Sequence, residues 1–370
     1  MARMEYPEGM DLAATRLARQ ARKGRGAASN RAGRYERHAG AACDDGWGSL
    51  DQPLERLRTI VQADRSRSVI TRNASPDLGF DRSINAYRGC EHGCIYCFAR
   101  PTHAYHDLSP GLDFETKLFA KPDAAELLRK TLAKPGYAPR PIAMGTNTDP
   151  YQPIEGRYRI TRAILELCLE VRHPVTITTK SDRLLHDLDL LAEMARHRLV
   201  AVGISVTSLD ARLSQTLEPR APSPEKRLAA LARLAEAGVP THGMIAPVVP
   251  AITDEFIERT VARLAEARVN SAGWIMMRLP HEVAPLFREW LDVHYPDRAA
   301  KVMALVQEMR GGRDNEHRFH ERFRPKGAWA DMLQSRFRLA LKRSAIPQRK
   351  PALDCSNFRP PSRDGQLALF

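Results

Sequence analysis

An α/β fold built on a partial (β/α)6 TIM-type barrel is what this sequence predicts, and three observations carry the prediction. From about residue 84, short apolar runs alternate with amphipathic ones. The short runs are apolar almost throughout, as strands buried on both faces are. About six such units fit, fewer than the eight that close a barrel. In order, a strand is expected near Ile84–Tyr87 and at Pro141–Gly145, followed by a helix over Arg159–Val171. Val175–Thr179 then precedes a helix over Arg183–Arg196, and Leu199–Val206 precedes one over Pro224–Ala237. Thr241–Val249 leads to a helix over Asp254–Arg268, and Gly273–Arg278 is the last strand. Apolar residues recur every three or four positions in these helices, as with Ile164, Leu165, Cys168 and Leu169. In such folds chemistry collects at the C-terminal ends of the strands, which gives residues there extra weight.

Charge divides the 370 residues further. Residues 1–40 hold nine Arg and Lys against four Asp and Glu, and residues 310–350 hold twelve against four, so the whole +13 excess sits at the two ends. We expect a basic, largely flexible arm over 1–60, the barrel over 61–280, a helical basic extension over 281–350, and a flexible tail over 351–370. Cationic flanks attract polyphosphate chains through counterion release. In the extension, Arg318, Phe319, Arg322, Phe323, Arg324, Trp329, Phe337 and Arg338 interleave cations with aromatics that can stack on bases. Nucleic acid is the expected partner. The longest stretch without Asp, Glu, Lys or Arg, Ala237–Thr253, holds three prolines and is no membrane span. No N-terminal signal is evident, so a cytoplasmic location is expected.

Six cysteines are present, and three of them, Cys90, Cys94 and Cys97, fall within eight residues. Thiolates at that density suit a soft metal. A C-x3-C-x2-C loop after a strand offers three sulfurs around one turn. A 4Fe–4S cube held by three thiolates leaves one iron open to another ligand, whereas ordinary electron-transfer clusters use four cysteines. Zinc, with His92 or His103 as fourth ligand, is the alternative reading and would make the chain a zinc-stabilised nucleic-acid adaptor. Cys168 lies on the apolar face of a helix, and Cys43 and Cys355 lie in the flanks. All three read as structural.

The run Cys90-Glu-His-Gly-Cys94-Ile-Tyr96-Cys97, with an aromatic before the last cysteine, resembles the signature of the radical S-adenosylmethionine (SAM) superfamily. The resemblance implies a 4Fe–4S cluster on the three cysteines and SAM on its open iron. Reductive cleavage of SAM to a 5′-deoxyadenosyl radical would follow, with electrons from a reductant protein. Further segments resemble the spore photoproduct lyase-like, or DNA repair photolyase, branch. They include Asn85–Tyr105, Leu112–Lys117, Gly145–Glu155, Thr178–Ser181, Ser205–Ser208, Leu217–Pro224 and Ala246–Pro250. The basic arm, with Lys23-Gly-Arg-Gly-Ala27, and the long C-terminal extension resemble one subgroup of that branch. By this resemblance Asn147 and Ser205 hydrogen-bond SAM, Lys180 meets its carboxylate, and Tyr96 lies against its adenine. DNA is the implied substrate, with RNA or protein as the alternative. One position departs from the branch: the lyase's hydrogen-donating cysteine corresponds to Gly145 here. Asp149-Pro150 reads as a turn and Glu218–Arg220 as a surface ion pair. The C-terminus, with Gln366, Leu367, Leu369 and Phe370, resembles the peptide by which bacterial repair proteins bind the DNA sliding clamp.

Overall fold

Seven strands form the main sheet of the computed structural model, which describes residues 21–36, 57–349 and 351–361. The strands are β1 (Ile60–Ala63), β2 (Ile70–Arg72), β3 (Arg82–Ile84), β4 (Tyr87–Arg88), β5 (Lys117–Ala120) and β6 (Ile142–Met144). Then come β7 (Val175–Thr179), β8 (Val200–Ser205), β9 (Thr241–Val248) and β10 (Ser271–Met276). The main sheet runs β10-β9-β8-β7-β6-β3-β2. β3 to β10 pair in parallel through that order, and β2 alone is antiparallel, hairpinned onto β3. Six parallel strands with an open seam between β10 and β2 are the partial barrel that the sequence predicts. A small sheet, β1-β5-β4, flanks the loop between β3 and β6.

The helices are α1 (Leu112–Thr116), α2 (Ala124–Leu132), α3 (Glu155–Tyr158), α4 (Ile160–Glu170), α5 (Leu188–Arg196) and α6 (Ala211–Leu217). They continue with α7 (Pro224–Glu236), α8 (Ile257–Glu266), α9 (Val283–His294), α10 (Pro296–Glu308) and α11 (Ala328–Ser344). Local signals explain their ends. Asp210 caps α6 by accepting from the backbone N–H of Arg212 and Leu213, and proline opens α7 and α10. Each presents one buried stripe: Ile160, Ile164, Leu165 and Cys168 on α4, Ile257, Val261 and Leu264 on α8. Burying each such aliphatic side chain contributes about 1.5–3 kcal/mol. In the C-terminal extension, Phe337 faces inward on α11, which packs on α8, so this aromatic belongs to the core and not to a nucleic-acid surface. No described helix is long and apolar enough to cross a membrane.

The N-terminal arm corrects an expectation. Residues 21–36 do not stand free but cross the molecule as a strap. Arg25 donates to the backbone oxygens of Glu115 (2.9 Å) and Leu57 (2.8 Å). Ser29 and Arg31 both bond Glu289 of α9, and Arg34 grips Glu282 through its backbone and guanidinium nitrogens. Two basic residues expected to meet phosphate, Arg31 and Arg34, are here used on the protein's own carboxylates. Periodicity missed this because the segment is pinned by side chains distant in sequence, not by a repeating pattern.

Candidate functional site

The three clustered cysteines occupy the crossover between β3 and β6, held at the C-terminal edge of the sheet by hydrogen bonds rather than by secondary structure. Cys90 N–H donates to Phe114 O and Ile95 N–H to Leu217 O, each at 3.0 Å. Gln152 accepts from Glu91 N–H (2.8 Å) while donating to Gly89 O and Thr148. Beneath the loop lies Arg100, fully buried, whose guanidinium reaches Cys94 O, Gly93 O, Pro110 O, Gly111 O and the Glu115 carboxylate.

All three thiols line one cavity with about 470 Å³ of atom-free space, part of it open to solvent. Asn147, which follows β6, and Lys180, which follows β7, share its wall with His92, Phe98, Gly145 and Asp149. Strand ends thus bring residues some ninety positions apart to the cysteines, as the fold predicts. Tyr96 and Ser205 are not part of that wall. Tyr96 buries its hydroxyl against Glu218 and Thr207, with the Lys180 ammonium 5.8 Å above its ring. Ser205 ends β8, and its backbone oxygen accepts from Arg227 at 3.1 Å. A cleft beside the strap with about 1950 Å³ of atom-free space, lined by Arg22, Asp113 and Lys117 among others, contains none of these groups.

The cavity sets buried thiols and the Asp149 carboxylate against one cation, Lys180. Burial raises the Cys94 thiol to about 12 and Cys90 above its ordinary value as well, so stable thiolates here require a cationic partner such as a metal. Burial would lower Lys180, but the neighbouring Cys94 sulfur and Glu218 carboxylate outweigh it and raise its pKa. Lys180 is therefore a firm cation facing the thiols. Among the described residues no three His, Cys, Asp or Glu converge to hold a single metal. Of the two histidines considered for zinc, His92 binds Asp149 through Nδ1 at 3.2 Å, and His103 binds Lys117 O through Nε2 at 2.9 Å, away from the cavity wall.

Several residues of the site were hidden from the sequence. Asp149 makes the expected turn by accepting from Tyr151 N–H (2.9 Å), but it also accepts from Thr179 Oγ1 (2.6 Å) and Lys180 N–H (2.8 Å). It ties the ends of β6 and β7 together beside His92. Despite burial, which opposes ionisation, His92 and these donors hold its carboxyl down at about 2. Glu218 is not a surface residue paired with Arg220. It is buried and paired with Arg227, itself 1% exposed, while Arg220 turns to Glu91 at 3.1 Å. Spacing could not distinguish these pairings, because Arg227 lies on α7 and approaches only when that helix packs on β8.

Gly145 explains the missing cysteine. Its φ is +90°, and an ideal Cβ there would lie 2.0 Å from Thr178 O. The backbone at this position excludes any side chain, so a cysteine cannot enter without moving β6 against β7.

Residues 84–264 match the radical SAM superfamily. The chain belongs to the radical SAM superfamily. Among relatives of this radical SAM chain is an uncharacterized protein of Mycobacterium tuberculosis, 37% identical over 232 residues, covering 62% of this chain and 68% of that protein. An uncharacterized protein of Methanocaldococcus jannaschii is 28% identical, over 58% of this chain and 76% of its own length. Among solved structures, spore photoproduct lyase complexed with dinucleoside spore photoproduct superimposes with a TM-score of 0.54 at 17% identity. The match covers 78% of this chain and 79% of that one, and shows a common fold. Another structure of that lyase carries bound AdoMet and the same dinucleoside. Superfamily membership makes this a radical SAM enzyme and implies a 4Fe–4S cluster with SAM.

Proposed function

We propose that this enzyme holds a 4Fe–4S cluster on Cys90, Cys94 and Cys97 and uses SAM for radical chemistry on nucleic acid, with DNA repair or modification its role. The observation that carries the reading is the single cavity in which the three thiols meet Asn147 and Lys180. When bound, the cluster and SAM supply one-electron cleavage of a sulfonium carbon–sulfur bond and a 5′-deoxyadenosyl radical.

The chain's own residues have separable tasks. Lys180 supplies the cation for the SAM carboxylate, and Asn147 supplies amide groups, its backbone fixed by Asn85 at 2.9 Å. Tyr96 and Ser205 support that wall, Tyr96 from beneath Lys180 and Ser205 at the end of β8. Arg100 keeps the cysteine loop folded. Gly145 offers no hydrogen donor, so a reaction identical to that of the lyase is not proposed. The substrate class is supported by the +13 charge and by the fold shared with an enzyme solved with a dinucleoside. An external reductant protein is required. Gln366, Leu367, Leu369 and Phe370, which lie outside the described residues, are proposed to dock on a sliding clamp. Deleting 366–370 should abolish retention on immobilised clamp.

The test of the chemistry is anaerobic reconstitution with iron and sulfide, then SAM and dithionite, with irradiated DNA, RNA or neither. A brown protein that releases 5′-deoxyadenosine and alters irradiated DNA is expected. Colourless protein, or zinc in place of iron, would sink the proposal.

A further inference from the structure

The open seam between β10 and β2 is bridged by the segment that joins α10 to α11. On one side Arg322 Nε donates to Asp77 Oδ2 (2.8 Å) and His320 N–H to Asp77 Oδ1 (2.7 Å), in the loop between β2 and β3. On the other side the segment meets Arg278, two residues beyond β10. The contacts form a ladder of alternating aromatic and guanidinium groups. The Arg322 guanidinium carbon lies 5.0 Å from the Phe319 ring centroid and 5.1 Å from that of Phe323, and the Arg278 carbon lies 4.8 Å from Phe323.

Both ends of this ladder are unfinished. Phe319 is 53% exposed, so one ring face has no protein neighbour to match its apolar area. Among the described residues Arg278 makes no hydrogen bond or ion pair, and its Nε is buried without a partner. Arg278 is half-buried and its terminal nitrogens reach solvent, so the guanidinium can take acceptors from a ligand while its buried Nε has none within the protein. Arg310, close by, directs its two terminal nitrogens to the backbone oxygens of Arg322, Met276 and Met277, and adds positive charge without a carboxylate in hydrogen-bond reach among the described residues. Burial and these neighbouring cations push Arg278 down to about 10, which leaves it charged at neutral pH.

We infer that this ladder is a docking site for a single-stranded nucleic acid, with an unpaired base on Phe319 and a backbone phosphate on Arg278. It deepens the proposed function, and rests on its nucleic-acid reading, by placing the strand at the seam of the barrel. The chemistry fits on both counts. Aromatic faces take any base, a guanidinium fork matches phosphate oxygens, and stacking on a ring fixes the fork's orientation.

The test is fluorescence anisotropy of the cluster-loaded enzyme with labelled 12-residue DNA, RNA, abasic DNA and duplex DNA, over a salt series. Wild type should prefer base-bearing single strands. Phe319→Ala should weaken binding about tenfold and erase the preference over abasic strands. Arg278→Gln should weaken all strands about equally and reduce the salt slope by about one. Phe319 is a surface residue, so its variant keeps the test valid if Arg278→Gln folds poorly. Preference for RNA over DNA would support the site and move the substrate class to RNA. Unchanged binding by both variants, or preference for duplex, would overturn the site alone. Failure of wild type to bind any strand would overturn the nucleic-acid reading with it.

Discussion

Arg100 and Glu115 form an ion pair in which neither side chain reaches solvent. Around it every donor of Arg100 has an acceptor, and Glu115 also accepts from the backbone N–H of Gly26 (3.0 Å) and Ala27 (2.9 Å). The pair thus joins the cysteine loop, on the Arg100 side, to the N-terminal strap. Removing one partner strands a buried charge, a loss of about 3–5 kcal/mol. Arg100→Ala is expected to lower the unfolding midpoint sharply and to reduce iron retained after reconstitution, although Arg100 touches no cysteine sulfur. Unchanged iron content in a folded Arg100→Ala protein would show that the clamp does not serve the loop.

The strap makes its own prediction at Gly26, whose backbone lies so close to the cysteine loop that an ideal Cβ would sit 2.0 Å from Gly93 O. Gly26→Ala must therefore push the strap off the loop. Faster proteolysis near residues 21–36 and faster loss of iron to a chelator are expected. Gly24→Ala is no neutral control, since Gly24 has a φ of +75°. Ala28→Ser is the better comparison and should behave like wild type.

Cysteine substitutions separate ligands from core. Replacing any one of Cys90, Cys94 and Cys97 by Ala should abolish the iron–sulfide chromophore and 5′-deoxyadenosine release. Cys168 is fully buried on α4, its thiol raised to about 12 by burial alone. Cys168→Ala should cost about 1 kcal/mol of stability and leave iron content intact. Loss of iron in that variant would contradict its structural role.

Glu155 should give the fold a pH dependence away from the cysteines. It is buried at the start of α3, with Tyr87 donating to one oxygen and Thr161 N–H to the other at 2.9 Å. Burial outweighs these donors and lifts its carboxyl from 4.5 to about 7. Because the folded value lies above the unfolded one, its stabilising share is complete below pH 4.5 and is lost as pH rises through 7. The loss amounts to roughly 3 kcal/mol. Glu155→Gln mimics the neutral acid, since its amide can still accept from Thr161 and donate to Tyr87. Urea unfolding between pH 4.5 and 8 should show this decline in wild type and a flatter profile in the variant.

What could be read from the sequence follows from which forces are local. Val175–Thr179 matched its predicted strand, and Ile160–Glu170 its predicted helix within a residue, because a short apolar run and an apolar repeat every three or four positions report burial directly. The cysteine triad was legible because its C-x3-C-x2-C spacing is itself a local sequence pattern. Glu218 with Arg227, Asp149 with His92, and Glu115 with Gly26 were not. Each is a buried charge satisfied by a group brought near only by packing, and nothing in the spacing of Glu218 favours Arg227 over Arg220. The strap was missed for the same reason, since composition marks Lys23–Arg34 as basic and carries no sign of Glu282 and Glu289.

The strap is fastened at Glu289, almost two hundred positions beyond Cys97. As the polypeptide leaves the ribosome, the cysteine loop and the segment that covers it exist long before the helix that latches them. Until α9 is made, the strap has Glu115, Asp113 and Leu57 to hold it, so its last anchor arrives after the whole barrel has been synthesised.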